Sequence, residues 1–355
     1  MTFTTTPSQI SIHPESTSSS ATHHLIFMIT GNPGLISYYK TFLHALHPLL
    51  GSPTQDPQTL YHIHGQSLAG FVDSPSDPRT IPESVTHPYS LEDQITFSLA
   101  SLTALRIPSG PQRGQPYTSV ILVGHSVGSY ILLEIITRLG RSSHVRIEAG
   151  ILLFPTVTHI AKSPSGLKIS TLFRIPDFAK RVGTLAKGLV LLVPGGVLTW
   201  LVGLVTRMPS DAVEVTTQFL KSRMGVWQAL HMAKDEMDFI AEDRWDQDIW
   251  GIEHEDPDSK SETPPKLIFY FGQNDHWVAD HTRDALIAAR GGGEGARKSS
   301  KPIMMIDKGG IPHGFCIRHS ETVAEKVERH INTGTSITLS AILGFCLPSP
   351  RALFN

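Results

Sequence analysis

A mainly parallel β-sheet with helices on both faces is the fold class this sequence predicts. Three observations point to it. Short apolar runs recur along the chain, at His24–Thr30, Leu60–His64, Ser119–Val123, Arg146–Phe154, Lys266–Phe271 and Pro302–Ile306, each of strand length and several bounded by glycine or proline. Segments of helical period lie between them, and such alternation means a parallel sheet covered on both sides. The alternation breaks only from about Thr156 to Pro265, a stretch mostly helical in pattern between two strands. It reads as a cap inserted into an α/β domain.

The composition narrows the possibilities. The 355 residues allow two ordinary domains or one large domain with insertions. A hydrophobic share of 40% excludes a disordered or collagen-like chain. Charged residues make up 17%, against about 25% in an average protein, so some surface should prefer a phase other than water. The net charge of −2 and the lack of a basic stripe argue against a polyanion partner, and no nucleic acid is expected. Two cysteines, Cys316 and Cys346, cannot build a disulfide framework, which suits reduced surroundings. Residues 1–22 are rich in Ser and Thr and lack an apolar signal region. They are expected to form a disordered tail.

The elements follow in order. After the first strand, Gly31-Asn32-Pro33-Gly34 makes a tight turn. Phe42, Leu43, Leu46, Leu49 and Leu50 then mark one helical face. Ser90 is an N-cap, with Glu92 and Asp93 in the first turn where the helix dipole favours acids. Leu91, Ile95, Leu99 and Leu102 continue that helix. The helix Tyr130–Leu139 closes on Gly140 as its C′ residue. Ala285, Leu286 and Ala289 define another, and Val323, Val327 and Ile331 a last one near Ser320–Ile331. The expected division is a core over 23–155, a cap over 156–265, a second core segment over 266–334 and an apolar tail over 335–355.

Gly124-His125-Ser126-Val127-Gly128 fits a nucleophile elbow, G-x-S-x-G, between an apolar strand and an apolar-periodic helix. The serine must sit on a sharp strand-to-helix turn, where a Cβ at either flanking glycine would clash with backbone. The elbow implies the chain order serine, acid, histidine. Asp275 follows the strand Lys266–Phe271. Its rival Asp280 precedes a periodic helix and reads as a cap. His313 follows the strand Pro302–Ile306 in a turn-prone loop, with His276 and His319 as local competitors. An oxyanion hole needs two backbone donors. Val127, next after the nucleophile, and Asn32, in the loop after the first strand, are so placed.

Thr30-Gly-Asn-Pro-Gly34 with Tyr38-Tyr39, Gly124-His-Ser-Val-Gly128, Phe271-Gly-Gln-Asn-Asp275-His-Trp277 and Ile311-Pro-His313-Gly-Phe315 resemble the lipid droplet-associated hydrolase family. The resemblance covers most of residues 24–330. It implies an α/β-hydrolase fold, association with lipid droplets and the endoplasmic reticulum, and hydrolysis of lipid esters including cholesteryl esters. The chain departs from the family around His254–Thr263, in the insertion Gly291-Gly-Gly-Glu-Gly and in its apolar tail.

Gly188–Thr206 contains no charge and is flanked by Lys187 and Arg207. As a straight helix it would reach roughly 28 Å, enough to span a bilayer. Pro194-Gly195-Gly196 interrupts it, and a single span would part Ser126 from Asp275 and His313. A hairpin entering one leaflet or a droplet monolayer satisfies both constraints, with Leu189, Leu191, Leu192, Leu198, Trp200 and Leu201 inserted. A buried helix pair lining the cap is the rival reading. The tail Ile337–Leu347 is apolar but too short to span.

The sequence therefore points to a serine carboxylic-ester hydrolase at a lipid surface, with a lipid ester substrate, no cofactor and no metal motif. Two alternatives stand beside it. One is a thioesterase or peptidase using the same triad, and the other a lipid-surface binding protein with little activity.

Overall fold

The computed structural model describes residues 2–15, 18–51, 58–74, 76–77, 79–140, 143–246, 249–251, 264–292 and 301–343. Among them, β1 (Thr2–Thr5), β2 (Gln9–His13), β3 (Thr22–Ile29), β4 (Thr59–Gln66), β5 (Ser119–His125), β6 (Ile147–Leu153), β7 (Lys266–Gly272) and β8 (Ile303–Asp307) form one sheet in the order β1-β2-β4-β3-β5-β6-β7-β8. The six strands β3 to β8 run parallel, and β1 and β2 extend the β4 edge antiparallel. The order turns back at β3, so the C-terminal ends of β3 and β5 flank a crevice of the kind that hosts ligands in open α/β sheets.

The N-terminal strands correct the expectation of a disordered 1–22 tail. Ile10 and Ile12 are fully buried, and their spacing of two puts both on one face of β2. The ladder that β2 joins belongs to β4, where Ile10 pairs with Gly65 and Ile12 with Ile63.

Alternation along the central strands sends side chains to two cores. Leu25, Phe27, Leu122, Leu152 and Phe269 pack beneath α2 (Leu91–Ala104), α3 (Val127–Leu139) and α9 (Asp280–Arg290). Ile26, Met28, Val123, Ile151 and Ile268 pack beneath α1 (Lys40–Leu50) and α10 (Ser320–Leu343). Ser90 caps α2 with a reciprocal pair: its hydroxyl accepts from the Asp93 N–H, and the Asp93 carboxylate accepts from the Ser90 N–H. The last helix runs on to Leu343, past the expected end at Ile331 and across the boundary at 335. The rest of the apolar tail with Cys346, the loop 252–263 and the insertion 293–300 lie outside the described residues.

Between β6 and β7 the chain forms α4 (Pro164–Leu172), α5 (Phe178–Leu191), α6 (Gly195–Thr206), α7 (Ser210–Lys221) and α8 (Gly225–Phe239). The apolar run breaks at Leu192–Pro194, between α5 and α6. Its side chains divide into two sets. Leu189, Leu191, Leu192, Trp200 and Leu201 are exposed, Leu192 at 81%. Leu198 is buried with Val202 against Val213 of α7, which corrects its assignment to the inserting set. One face of α6 is thus committed to the protein, and only its outer face is open. Among the described residues no helix is long and apolar enough to cross a membrane.

Candidate active site

β5 enters the elbow fully buried, and the chain reverses at Ser126 with φ 54° and ψ −124° before α3 begins at Val127. A positive φ at a residue with a side chain is strained, and such strain is typical of functional positions. The flanking glycines are sterically required. A Cβ on Gly124 would lie 2.5 Å from the Gly128 carbonyl oxygen, and one on Gly128 would lie 2.4 Å from the Ile29 carbonyl oxygen. The Ser126 N–H donates to Leu153 O at 3.0 Å, which ties the elbow to the end of β6.

The three residues expected to work together meet here. The Ser126 hydroxyl donates to His313 Nε2 at 2.9 Å, and His313 Nδ1–H donates to Asp275 Oδ2 at 2.7 Å. The other Asp275 oxygen accepts from the Trp277 N–H at 2.9 Å, so the carboxylate is held at both oxygens. Asp275 is buried, and Ser126 is 8% exposed. Asp280 is elsewhere, exposed on the first turn of α9 and paired with Arg283 at 2.7 Å. It is the first helical residue, with Ala279 as N-cap, so the reading of Asp280 as the cap is corrected by one position. His276 bonds Ser165 Oγ at 2.8 Å, and the Nδ1 of His319 is buried without a partner among the described residues.

Val127 directly follows Ser126, and Asn32 follows Gly31 in the loop after β3. Gly31 packs against Ser126 so closely that an added Cβ would come within 3.1 Å of the Ser126 Cβ. Among the described residues neither the Asn32 nor the Val127 N–H has a hydrogen-bond partner. Val127 opens α3, where first-turn donors are unpaired and the helix dipole favours negative charge. The Asn32 side chain is engaged by the cap: Nδ2 donates to Ala229 O at 2.9 Å and to Glu236 Oε1 at 2.8 Å, both on α8.

Four residues to which sequence reasoning gave no role complete the surroundings. The Gly31 N–H donates to the Tyr39 hydroxyl at 2.9 Å, and Tyr39 donates to His125 Nδ1 at 2.6 Å. His125 Nε2–H then donates to the His313 carbonyl at 2.9 Å. Burial, with the neighbouring His313 as a smaller cause, pushes the His125 imidazole down to about 3. It is neutral at ordinary pH, the form this chain of bonds requires. Asp307 at the end of β8 accepts from Tyr270 and, at 3.0 Å, from the Ile311 N–H, which anchors the loop that carries His313. Glu236 is buried and has no cationic partner among the described residues, and burial pushes its carboxyl up to about 8, with Asp235 adding to the rise and the Asn32 bond opposing it. A cleft of about 420 Å³ elsewhere is lined by the ion-paired Glu92, Glu134, Arg138 and Arg244, apart from the Ser126 site.

A family model described as lipid-droplet associated hydrolase matches residues 22–316, from β3 through the His313 loop. The chain belongs to that family. It is 27% identical to the lipid droplet-associated hydrolase of Rattus norvegicus over 87% of this chain and 85% of the rat protein. It is 28% identical to that of Gallus gallus, over 85% and 83%. The Dictyostelium discoideum protein of the same name is 25% identical over 86% and 87%. Among solved structures, a peroxisomal alpha-beta-hydrolase of Saccharomyces cerevisiae aligns with a TM-score of 0.56 at 12% identity, over 96% of this chain and 91% of the yeast one. A meta-cleavage product hydrolase aligns with a TM-score of 0.52 at 13% identity, over 91% and 95%. These likenesses make the fold that of the α/β-hydrolases.

Proposed function

We propose that this member of the lipid droplet-associated hydrolase family is a serine carboxylic-ester hydrolase. Its substrates are lipid esters of cholesteryl ester or acylglycerol type, met at the surface of lipid droplets or the endoplasmic reticulum. The observation that carries this reading is the hydrogen-bonded line from Ser126 through His313 to Asp275 on a strained elbow, beside two N–H groups with no partner among the described residues.

Each group has a role in the proposed reaction. Ser126 Oγ attacks the ester carbonyl carbon as His313 Nε2 takes its proton. Val127 and Asn32 N–H groups stabilise the charge that develops on the carbonyl oxygen. Asp275 holds His313 in the tautomer with Nδ1 protonated and stabilises its cation. When the tetrahedral species collapses, His313 gives the proton to the leaving alcohol and Ser126 keeps the acyl group. Water, deprotonated by His313, then releases the acid. The outward apolar side chains of α5 and α6 support a lipid surface as the place of action, because a contiguous exposed apolar face marks an interaction site.

The test is hydrolysis of emulsified cholesteryl and acylglycerol esters and of a soluble short-chain ester, with labelling by a fluorophosphonate. Ser126→Ala and His313→Ala abolish turnover, and Ser126→Ala also abolishes labelling. Asp275→Asn lowers kcat by about four orders of magnitude by favouring the wrong tautomer, whereas Asp280→Asn retains activity. Wild-type turnover in Ser126→Ala refutes the reading.

A further inference from the structure

The cap carries a charge pattern that ester hydrolysis does not use. Between Pro164 and Arg207 stand Lys168, Arg174, Lys180, Arg181, Lys187 and Arg207 against the single acid Asp177. That is an excess of five positive charges in a chain whose net charge is −2. All six cations are exposed. Among the described residues none of the six is ion-paired with an acid. Lys180 lies over the Trp227 ring at 5.8 Å, a contact that leaves its charge unneutralised.

Their placement follows the apolar face. Lys180, Arg181 and Lys187 precede the exposed Leu189 and Leu191 on α5 and Leu192 at its C-cap, and Arg207 follows the exposed Leu204 and Val205 at the end of α6. Along α5 and its C-cap Leu192, Lys180, Lys187 and Leu191 recur at helical spacing, as do Arg181, Leu185 and Leu192, so cations and leucines share the solvent side. With the leucines and Trp200 in the acyl layer, long basic stems let their charged heads stay at headgroup level. An electroneutral ester core offers these charges nothing, and unpaired like charges on one face repel one another. A negatively charged headgroup layer complements both halves of the pattern.

We propose that the outer face of α5 and α6 docks onto a phospholipid surface carrying anionic headgroups. The inference rests on the lipid-surface reading above and adds the charge of the partner. It makes α5 and α6 an interfacial platform that reads headgroup charge as well as apolar depth.

The experiment is co-flotation of the full chain with phosphatidylcholine vesicles and with vesicles in which about one-fifth of the lipid is phosphatidylserine, each cation near the surface contributing about five-fold. Binding to the anionic vesicles is expected to be at least 100-fold tighter and to fall steeply with added salt. Lys180→Glu/Arg181→Glu/Lys187→Glu brings it to the phosphatidylcholine level with an unchanged Tm. Leu191→Asp/Leu192→Asp weakens binding to both surfaces. Equal binding to the two vesicles, or an anionic preference that the triple variant keeps, overturns the charge reading and leaves lipid docking in place. Binding to neither overturns both.

Discussion

Replacing Glu236 by Gln stabilises the protein, and does so more strongly as the pH rises. The Glu236 carboxyl is buried on α8, and Oε1 accepts the Asn32 amide at 2.8 Å. Its ordinary value of 4.5 is pushed up to about 8, chiefly by burial and secondarily by Asp235. Between those two values the unfolded chain has lost a proton that the folded chain still holds, so stability falls by about 1.4 kcal/mol per pH unit. At pH 7 the accumulated loss is about 3 kcal/mol, and above pH 8 it levels off at about 5 kcal/mol. Gln has no proton to lose and keeps an acceptor for Asn32 Nδ2. Urea unfolding of both proteins at pH 5, 7 and 8.5 measures the difference directly. The gain from Glu236→Gln is expected to be small at pH 5 and about 3 kcal/mol at pH 7. A gain that does not change with pH, or a loss at pH 8.5, refutes the protonated-acid account of this contact.

Acid acts in the opposite sense through the histidines of β4. His62 and His64 are pushed down to about 3, mainly by burial and then by His13 for the one and Arg79 for the other. Below pH 6.5 the unfolded chain takes up protons that the folded one refuses, which costs about 2 kcal/mol per histidine at pH 5. In the Glu236→Gln background, which lacks the opposing carboxyl, the urea midpoint is therefore expected to drop from pH 7 to pH 5, and to drop less when His64→Gln is added; an unchanged midpoint there excludes this origin. Gly128→Ala places a Cβ 2.4 Å from Ile29 O and 2.6 Å from Thr30 O, so it should cost about 1–3 kcal/mol through overpacking and backbone shift. It also displaces the loop of Asn32, and soluble-ester turnover falls with stability. Wild-type values of both would show that the elbow has room.

The legible parts of this protein are those encoded within a few residues. The apolar runs of β3 to β8 match the described strands to within about two residues at most ends, because continuous burial leaves a dense local signal. The elbow was readable because Gly124 and Gly128 meet backbone that the same motif, or the neighbouring strand, must bring close. What escaped reading depends on partners far along the chain. Gln9–His13 lies in Ser/Thr-rich surroundings, and its burial depends on β4, fifty and more residues later. Tyr39 and His125 are 86 positions apart, and Asn32 and Glu236 are 204 apart. An uncharged run such as Gly188–Thr206 also cannot say which side faces inward. Leu198 and Trp200 are both apolar in sequence, and it is the packing of Val213 on α7, with Val190, Met208 and Leu220, that separates buried from exposed.

The same long-range contacts link the two halves of the molecule. α5 lies against α8 at Gly183, where a Cβ would approach Trp227 Cβ within 2.6 Å, so no side chain could stand there without moving the helices apart. Two residues further along α8, the Ala229 carbonyl accepts the Asn32 amide, and two helical turns beyond, Glu236 accepts it again. Asn32 is bonded to nothing else among the described residues, and Gly31 before it touches Ser126. The exposed apolar helix and the loop beside Ser126 are therefore fastened to opposite sides of one helix. Tight packing at Gly183 and a buried acid at Glu236 are both costly to a cap that serves only as a cover. They are required in one whose seating also fixes the backbone beside Ser126, because a displacement of α8 cannot leave the Asn32 amide in place.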